Sequence, residues 1–249
     1  MITGFHKVST IDYPGKISSV AFFKRCDYQC PSCHAKQIIS GKNEIPEEEI
    51  FNYLDSRKGL IDSVVLCGGE PTLCLGLGNF ARKIKERGLA VKLDTNGSNP
   101  AVLADLLKEG LIDYIAMDIK GPESLYSKLT GELIDFREQV KKSAGIMQKA
   151  PNYEFRTTLV PVLEEGKFRW MTNEEIREMA KWIDKHIFLN PQNVKWFLQR
   201  FVARGKEEMV DERFGVENIP KEYRETPIKV MEESKTEMVK YFPRCEIRN

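Results

Sequence analysis

Ile17-Ser18-Ser19-Val20-Ala21-Phe22-Phe23-Lys24-Arg25-Cys26-Asp27-Tyr28-Gln29-Cys30-Pro31-Ser32-Cys33 is the stretch on which the reading of this chain turns. Ile17–Phe23 is apolar and β-rich and reads as a strand. The loop that follows carries three cysteines within eight residues, Cys26, Cys30 and Cys33. Thiolates at that spacing can converge on one inorganic centre if the loop wraps around it, and soft thiolate ligands suit zinc or iron–sulfur clusters. A structural zinc site wants four protein ligands in a closed tetrahedron. The fourth would have to come from His34, or from the distant Cys67 or Cys74. A cubane cluster held by three thiolates instead keeps one iron open for a substrate or cofactor. At this point both centres remain open, with iron–sulfur favoured by the missing local ligand.

Outward from that loop, apolar runs alternate with helical patterns. Ser63–Leu66 is a short buried strand that ends at Cys67-Gly68-Gly69, and Leu89–Leu93 is another that ends at Asp94-Thr95-Asn96-Gly97. Tyr114–Met117 ends at Asp118, Tyr153–Val160 alternates, and Val194–Leu198 is a final strand. Between them, Pro46–Ser56, Asn79–Arg87, the segment from Pro100 to Glu109 and Phe136–Lys149 read as helices, with Ser98 or Asn99 as a cap. Thr172 or Asn173 caps one more, which runs to about Lys185 with Glu174 and Glu175 in its first turn. About six βα units imply an α/β fold with a parallel sheet and helices on its outside. Right-handed crossovers would curve such a sheet into a barrel or an open part of one. We expect residues 1–200 to form this partial, open TIM-like barrel. Residues 201–249 form a charged extension in which Ile228, Met231, Met238 and Phe242 share one helical face that packs on the barrel.

Composition narrows the class. The 249 residues suffice for a single α/β barrel. Lys plus Arg (38) nearly balances Asp plus Glu (37), which disfavours a nucleic-acid or membrane-surface binder that needs a basic field. No stretch approaches the roughly 18–20 apolar residues of a membrane span, and the N-terminus lacks the apolar core of a signal peptide. A cytoplasmic protein is expected, where six cysteines speak for metal or redox chemistry rather than disulfides. The three histidines, His6, His34 and His186, leave little room for His-based acid–base chemistry.

The Cys-x3-Cys-x2-Cys spacing after the first strand resembles the radical S-adenosylmethionine (SAM) superfamily. So do Cys67-Gly68-Gly69-Glu70-Pro71-Thr72, Asp94-Thr95-Asn96-Gly97 and Asp118-Ile119-Lys120, each at a strand C-terminus, the functional face of such barrels. Thr10-Ile11-Asp12-Tyr13-Pro14-Gly15-Lys16, Phe155-Arg156-Thr157-Thr158 and Phe197-Leu198-Gln199-Arg200-Phe201 are similar to segments of the anaerobic ribonucleotide reductase activating proteins, close cousins of the pyruvate formate-lyase activating enzymes. The resemblance implies a [4Fe–4S] cluster on Cys26, Cys30 and Cys33. It implies SAM held by Ser32, Gly68, Gly69, Glu70, Pro71, Asp94, Thr95, Asn96, Asp118 and Lys120. Gly68 and Gly69 would let backbone approach the ligand, Glu70 would lie against the methionine ammonium, and Asp94, Thr95 and Asp118 would offer oxygens near the SAM carboxylate and a monovalent cation. Ser32 departs from the aromatic residue usual before the third cysteine, so the adenine side would be built differently. Arg156 is left between a contact to SAM or the partner loop and a structural ion pair. Cys67 and Cys74 read as small buried residues and Cys245 as a bystander.

The implied activity is reductive cleavage of SAM to a 5′-deoxyadenosyl radical that makes a glycyl radical on a partner enzyme, fed by a flavodoxin- or ferredoxin-like electron donor. It needs no general base, which suits a chain so poor in histidine. Two alternatives stay open. One is a radical SAM enzyme acting on a small molecule or tRNA precursor, similar to 7-carboxy-7-deazaguanine synthase. The other is a zinc-binding structural protein.

Overall fold

The computed structural model describes residues 1–131, 135–186 and 191–248. In chain order the strands are β1 (Ile2–Ser9), β2 (Ser18–Phe23), β3 (Ser63–Gly68), β4 (Ala90–Thr95), β5 (Tyr114–Asp118), β6 (Tyr153–Leu159), β7 (Val162–Glu164), β8 (Lys167–Arg169), β9 (Lys195–Arg200) and β10 (Arg244–Arg248). The main sheet runs β1-β2-β3-β4-β5-β6-β9-β10. Only β1 is antiparallel to its neighbour; β2 to β10 are parallel. β1 and β10 are the two free edges, so the barrel is open. β7 and β8 form a separate antiparallel hairpin.

The helices are α1 (Lys36–Ile39), α2 (Glu47–Ser56), α3 (Leu77–Glu86), α4 (Pro100–Lys108), α5 (Tyr126–Thr130), α6 (Arg137–Met147), α7 (Asn173–Asp184) and α8 (Ile228–Met238). Their starts follow local chemistry. Glu47, Glu48 and Glu49 stand in the first turn of α2, where the helix dipole favours negative charge. Thr172 caps α7 reciprocally: its hydroxyl accepts from Glu175 N at 3.2 Å, and the Glu175 carboxylate accepts from Thr172 N at 2.8 Å. Asn99 precedes α4 but does not cap it; its amide instead donates to the Thr72 carbonyl at 3.2 Å. α3 buries Leu77, Phe80, Ala81 and Ile84, the spacing of a single apolar stripe turned to the sheet.

Two cores result. The large one fills the space between the sheet and the outer helices. A small one, Tyr13, Val20, Val65 and Tyr114, plugs the inside of the curved sheet near the N-terminal strand ends. Pairing register puts Val20, Val65, Lys92 and Tyr114 in one row on this inner face. Side chains alternate along a strand, so Cys67, Asp94, Asp118, Glu154 and Arg156 share that face. The inner face is therefore polar toward the strand C-termini, and that is where a site can form.

Three elements depart from the sequence reading. β1 and the β7–β8 hairpin lie where the sequence reading assigned no element: the burial of β1 does not alternate along its length, and the hairpin strands are three residues each, too short for a period to show. The segment after residue 200 supplies β10, paired parallel to β9 from Arg244↔Lys195 to Arg248↔Gln199, as well as a helix. In that helix Met231 and Met238 are buried but Ile228 is 68% exposed, and Phe242 packs from beyond the helix end. The shared face expected for all four is thus built from Met231 and Met238, joined by the part-apolar flanks of Ser234 and Glu237.

Candidate active site

A cavity of about 520 Å³ opens at the C-terminal ends of the parallel strands. Cys26, Cys30 and Cys33 all lie in its wall, and none is in a disulfide. The loop that carries them is tied on both flanks. Gln29 N donates to the Thr130 carbonyl at 2.7 Å, and Tyr28 is buried edge-on against Tyr126, ring centroids 6.3 Å apart. On the other flank, the C-terminal extension hydrogen-bonds the loop backbone: Val210 N to Cys33 O at 2.8 Å and Asp211 N to Pro31 O at 3.2 Å. The sequence offered no signal for this second flank, because backbone hydrogen bonds leave no mark on side-chain pattern.

Two of the three sulfurs accept hydrogen bonds. Ala35 N donates to Cys33 Sγ at 3.4 Å, and the Asn96 amide reaches Cys26 Sγ at 3.9 Å while it donates to Asp27 Oδ1 at 2.8 Å. Hydrogen bonds to sulfur are one of the levers by which a protein tunes an iron–sulfur centre. Burial pushes the Cys30 thiol up to about 12, opposed by the nearby Lys120 charge. Burial raises Cys26 as well. Such thiols ionise when a metal supplies the compensating charge. Among the described residues, no three His, Cys, Asp or Glu side chains gather closely enough to hold a single metal ion. Three thiols on the wall of one cavity are a donor set that suits an iron–sulfur cluster.

Below the cysteines runs a line of alternating charges. Lys92 pairs with Asp94 Oδ1; Arg156 reaches Asp94 Oδ2 at 2.8 Å and Asp118 Oδ1 at 2.9 Å; Lys120 holds Asp118 Oδ2 at 2.9 Å. Burial works against the charge of both carboxylates, but the Arg156 and lysine charges outweigh it and hold Asp94 and Asp118 below the usual carboxylate range. The same carboxylates hold Arg156 firmly charged despite its burial. Every oxygen of the two aspartates is thus engaged by a side-chain cation. The residues as arranged do not fit the monovalent cation expected there, and Arg156 is an ion-pair centre that also lines the cavity. Lys92, which the sequence reading did not assign to the site, is only 2% exposed; a lysine between Val91 and Leu93 is the signal that could have found it.

The Gly68-Gly69-Glu70-Pro71 segment is held by close contacts within the protein. A Cβ on Gly69 would meet the Arg25 carbonyl oxygen at 1.9 Å, and one on Gly68 the Phe23 backbone at 2.5 Å. These glycines line the cavity, and the strand entering the cysteine loop already demands their lack of a side chain. Arg25 itself is left-handed at φ 68°, and its carbonyl accepts from Glu70 N at 2.8 Å. Glu70 and Pro71 are buried outside the cavity lining. One Glu70 oxygen accepts from Thr72 N, Thr72 Oγ1 and Thr95 Oγ1; the other accepts from Asn96 N at 2.7 Å. Burial pushes this carboxyl up against those four donors. Glu70 therefore staples the turn after β3 to the turn after β4, and presents Thr95 and Asn96 to the cavity.

Of the other expected residues, Ser32, Asp94, Thr95, Asn96, Asp118 and Lys120 all line the cavity. His34, Arg200 and Arg204 join them from beyond the expected set. Burial, and then the Arg204 charge, hold His34 below its ordinary value, so it is a neutral imidazole at neutral pH. Cys67 lines the cavity on the inner face, Cys74 does not, and Cys245 is buried in β10.

Comparison with known proteins gives the site a context. The profile of the radical SAM superfamily matches residues 20–165. A proposed glycyl-radical enzyme activating enzyme of Methanocaldococcus jannaschii is 37% identical over 189 residues, 73% of this chain and 74% of its own. A protein of Pyrococcus abyssi assigned as a GTP 3′,8-cyclase is 28% identical over 67% of this chain, which spans 52% of that relative. Among solved structures, a radical SAM methyltransferase from Sphaerobacter thermophilus superposes with a TM-score of 0.58 at 12% identity, over 95% of this chain and 67% of that one. Streptococcus suis SuiB bound to S-adenosylmethionine gives 0.58 at 14% identity, over 92% of this chain and 52% of that one. At such identities the last two are likenesses of fold.

Proposed function

The chain belongs to the radical SAM superfamily, and on that premise we propose that it is an activase that makes a glycyl radical on a partner enzyme. As a radical SAM enzyme it takes a [4Fe–4S] cluster and SAM, and in this reading Cys26, Cys30 and Cys33 hold the cluster. The observation that carries the proposal is that the three thiols and the Asp94–Arg156–Asp118–Lys120 network face one cavity on an open-sided barrel. When bound, the reduced cluster and SAM supply a 5′-deoxyadenosyl radical able to take a hydrogen atom from a glycine Cα.

The chain's own residues do the rest. Lys120 and Arg156 offer positive charge to the SAM carboxylate, while the oxygens of Thr95 and Asn96 stand in the same cavity wall as acceptors for its ammonium. Gly68 and Gly69 keep the wall flat beside the methionine chain. Ser32, lacking an aromatic ring, leaves the adenine side more open. No side chain has to move a proton, in keeping with a neutral His34. The open edge between β1 and β10 leaves room for a glycine-bearing loop, and a flavodoxin- or ferredoxin-type protein in the reducing cytoplasm would deliver the electron. The activating enzyme of M. jannaschii supports this choice of substrate.

A second reading is favoured by one feature. Lys120, Arg200 and Arg204 line the cavity together, and the cyclase-like relative acts by its name on a nucleotide. A small anionic substrate would suit that wall.

The test is anaerobic reconstitution with iron and sulfide, then dithionite and SAM. We expect 5′-deoxyadenosine and methionine in step with iron content, and a glycyl-radical signal by electron paramagnetic resonance when the partner is added. Product formation with a nucleotide, and none with any glycyl-radical enzyme, would move the assignment to the second reading. Cys30→Ala should lower bound iron at least about tenfold, since three-thiolate ligation has no spare. Full iron in that variant would remove Cys30 from the ligand set.

A further inference from the structure

Glu154 is fully buried on the inner face of β6, two residues before Arg156 and therefore on the same face. Both its oxygens are taken by one guanidinium from the far edge of the sheet. Arg248 Nη1 donates to Oε1 at 2.8 Å, and Nη2 to Oε2 at 3.0 Å. Tyr114 Oη adds a bond to Oε2 at 2.6 Å. Arg248 crosses the intervening strand β9 with its guanidinium over the Phe197 ring, 3.7 Å from the centroid. A bidentate guanidinium stacked on a ring is a fixed arrangement that a point charge does not reproduce.

A buried carboxylate without a cation draws in whatever cation can reach it. Two cations stand close on this inner face. Arg156 is two residues along the same strand. Lys92 Nζ lies 5.9 Å from the ring centroid of Tyr114, whose hydroxyl is bonded to Glu154. These are two of the three cations that hold Asp94 and Asp118. While Arg248 occupies Glu154, neither has reason to leave the aspartates.

We propose that Arg248 is a positioning residue: by saturating Glu154 it keeps Arg156 on Asp94 and Asp118, and so sets the charge pattern beneath the cysteine loop from the last strand of the chain. The consequence for SAM rests on the reading of the cavity given above; the position of Arg156 does not.

Three variants test it: Arg248→Met, which keeps an apolar stem over Phe197; Arg248→Lys, which satisfies one oxygen of two; and Arg248→Met combined with Glu154→Gln, which removes the carboxylate that attracts. Crystal structures of the variants read the first consequence. In Arg248→Met, Arg156 is expected to hydrogen-bond Glu154 and release Asp94; in the double variant it is expected back between the aspartates. Equilibrium binding of SAM to reconstituted protein reads the second. The Kd should rise about tenfold in Arg248→Met at unchanged iron content, rise about threefold in Arg248→Lys, and return to about the wild-type value in the double variant. Arg156 unmoved in the crystals, or a lowered Tm with an unchanged SAM Kd, overturns the proposal. If Arg248→Met does not fold, the lysine variant decides by the same two readouts. Should the wild-type protein bind no SAM, the functional reading fails while the crystals still decide where Arg156 sits.

Discussion

Gly69 carries the tightest constraint among the residues of the site. Its missing Cβ is replaced by the Arg25 carbonyl oxygen, 1.9 Å from where that carbon would stand. Alanine there must push the entry to the cysteine loop aside. We expect Gly69→Ala to lose about 2–3 kcal/mol in denaturant unfolding and most of its reconstituted iron. Gly88, at φ 76° with open space around it, is the control: alanine should cost about 1 kcal/mol for the left-handed backbone and leave iron intact. Equal iron in both variants would mean that the close approach does not position the loop. Asp118 gives the pH dependence. Its folded-state pKa is depressed, so the stability it contributes is complete above the unfolded value of about 3.9 and is lost as pH falls below it. The stability gap between the wild-type apo-protein and Asp118→Asn should therefore be level from pH 8 to about pH 5 and close below about pH 4. A gap that widens on acidification would contradict the ion-pair assignment.

At the level of elements, outer helices and site loops answer to different forces. α7 is set by its own ends and its apolar stripe, so Thr172→Ala should cost about 1 kcal/mol through the lost cap and leave iron and SAM binding as they are. The segment 208–211 is the reverse case, with little regular structure of its own. Its value lies in backbone bonds such as Val210 N to Cys33 O. Val210→Pro removes that donor and should lower iron content and raise oxygen sensitivity while Tm changes little. An unchanged cluster in this variant would show that the loop holds its shape without the extension. α2, α3, α4, α6 and α7 were legible in the sequence because burial against a sheet imposes a 3.6-residue period, while α1 and α5, at four and five residues, are too short to show one. The 208–211 segment was not, since nothing in Glu208-Met209-Val210-Asp211 marks which carbonyls it will meet.

Over the whole molecule, chain order and sheet order coincide from β1 to β6, and each of the parallel strands β2 to β6 hands its C-terminal end to the same cavity. That coincidence is why the site could be read at all: Cys26, Gly68, Asp94 and Asp118 recur at strand ends at intervals the sequence displays. Strand composition and the residues closing each strand pointed to an α/β fold with a mostly parallel, open sheet, and the spacing of the three cysteines carried the resemblance to the radical SAM superfamily. Those features depend on near neighbours in sequence, where periodicity and turn chemistry act. Folding alone decided that Glu70 turns inward as a staple, that Gly68 and Gly69 lie against the backbone at Phe23 and Arg25, that Arg156 bridges Asp94 and Asp118, and that Arg248 reaches Glu154 from the far edge. Each of these is a contact between residues distant in sequence, and its sign depends on burial and on which partner arrives first, quantities that exist only once the strands have been brought together.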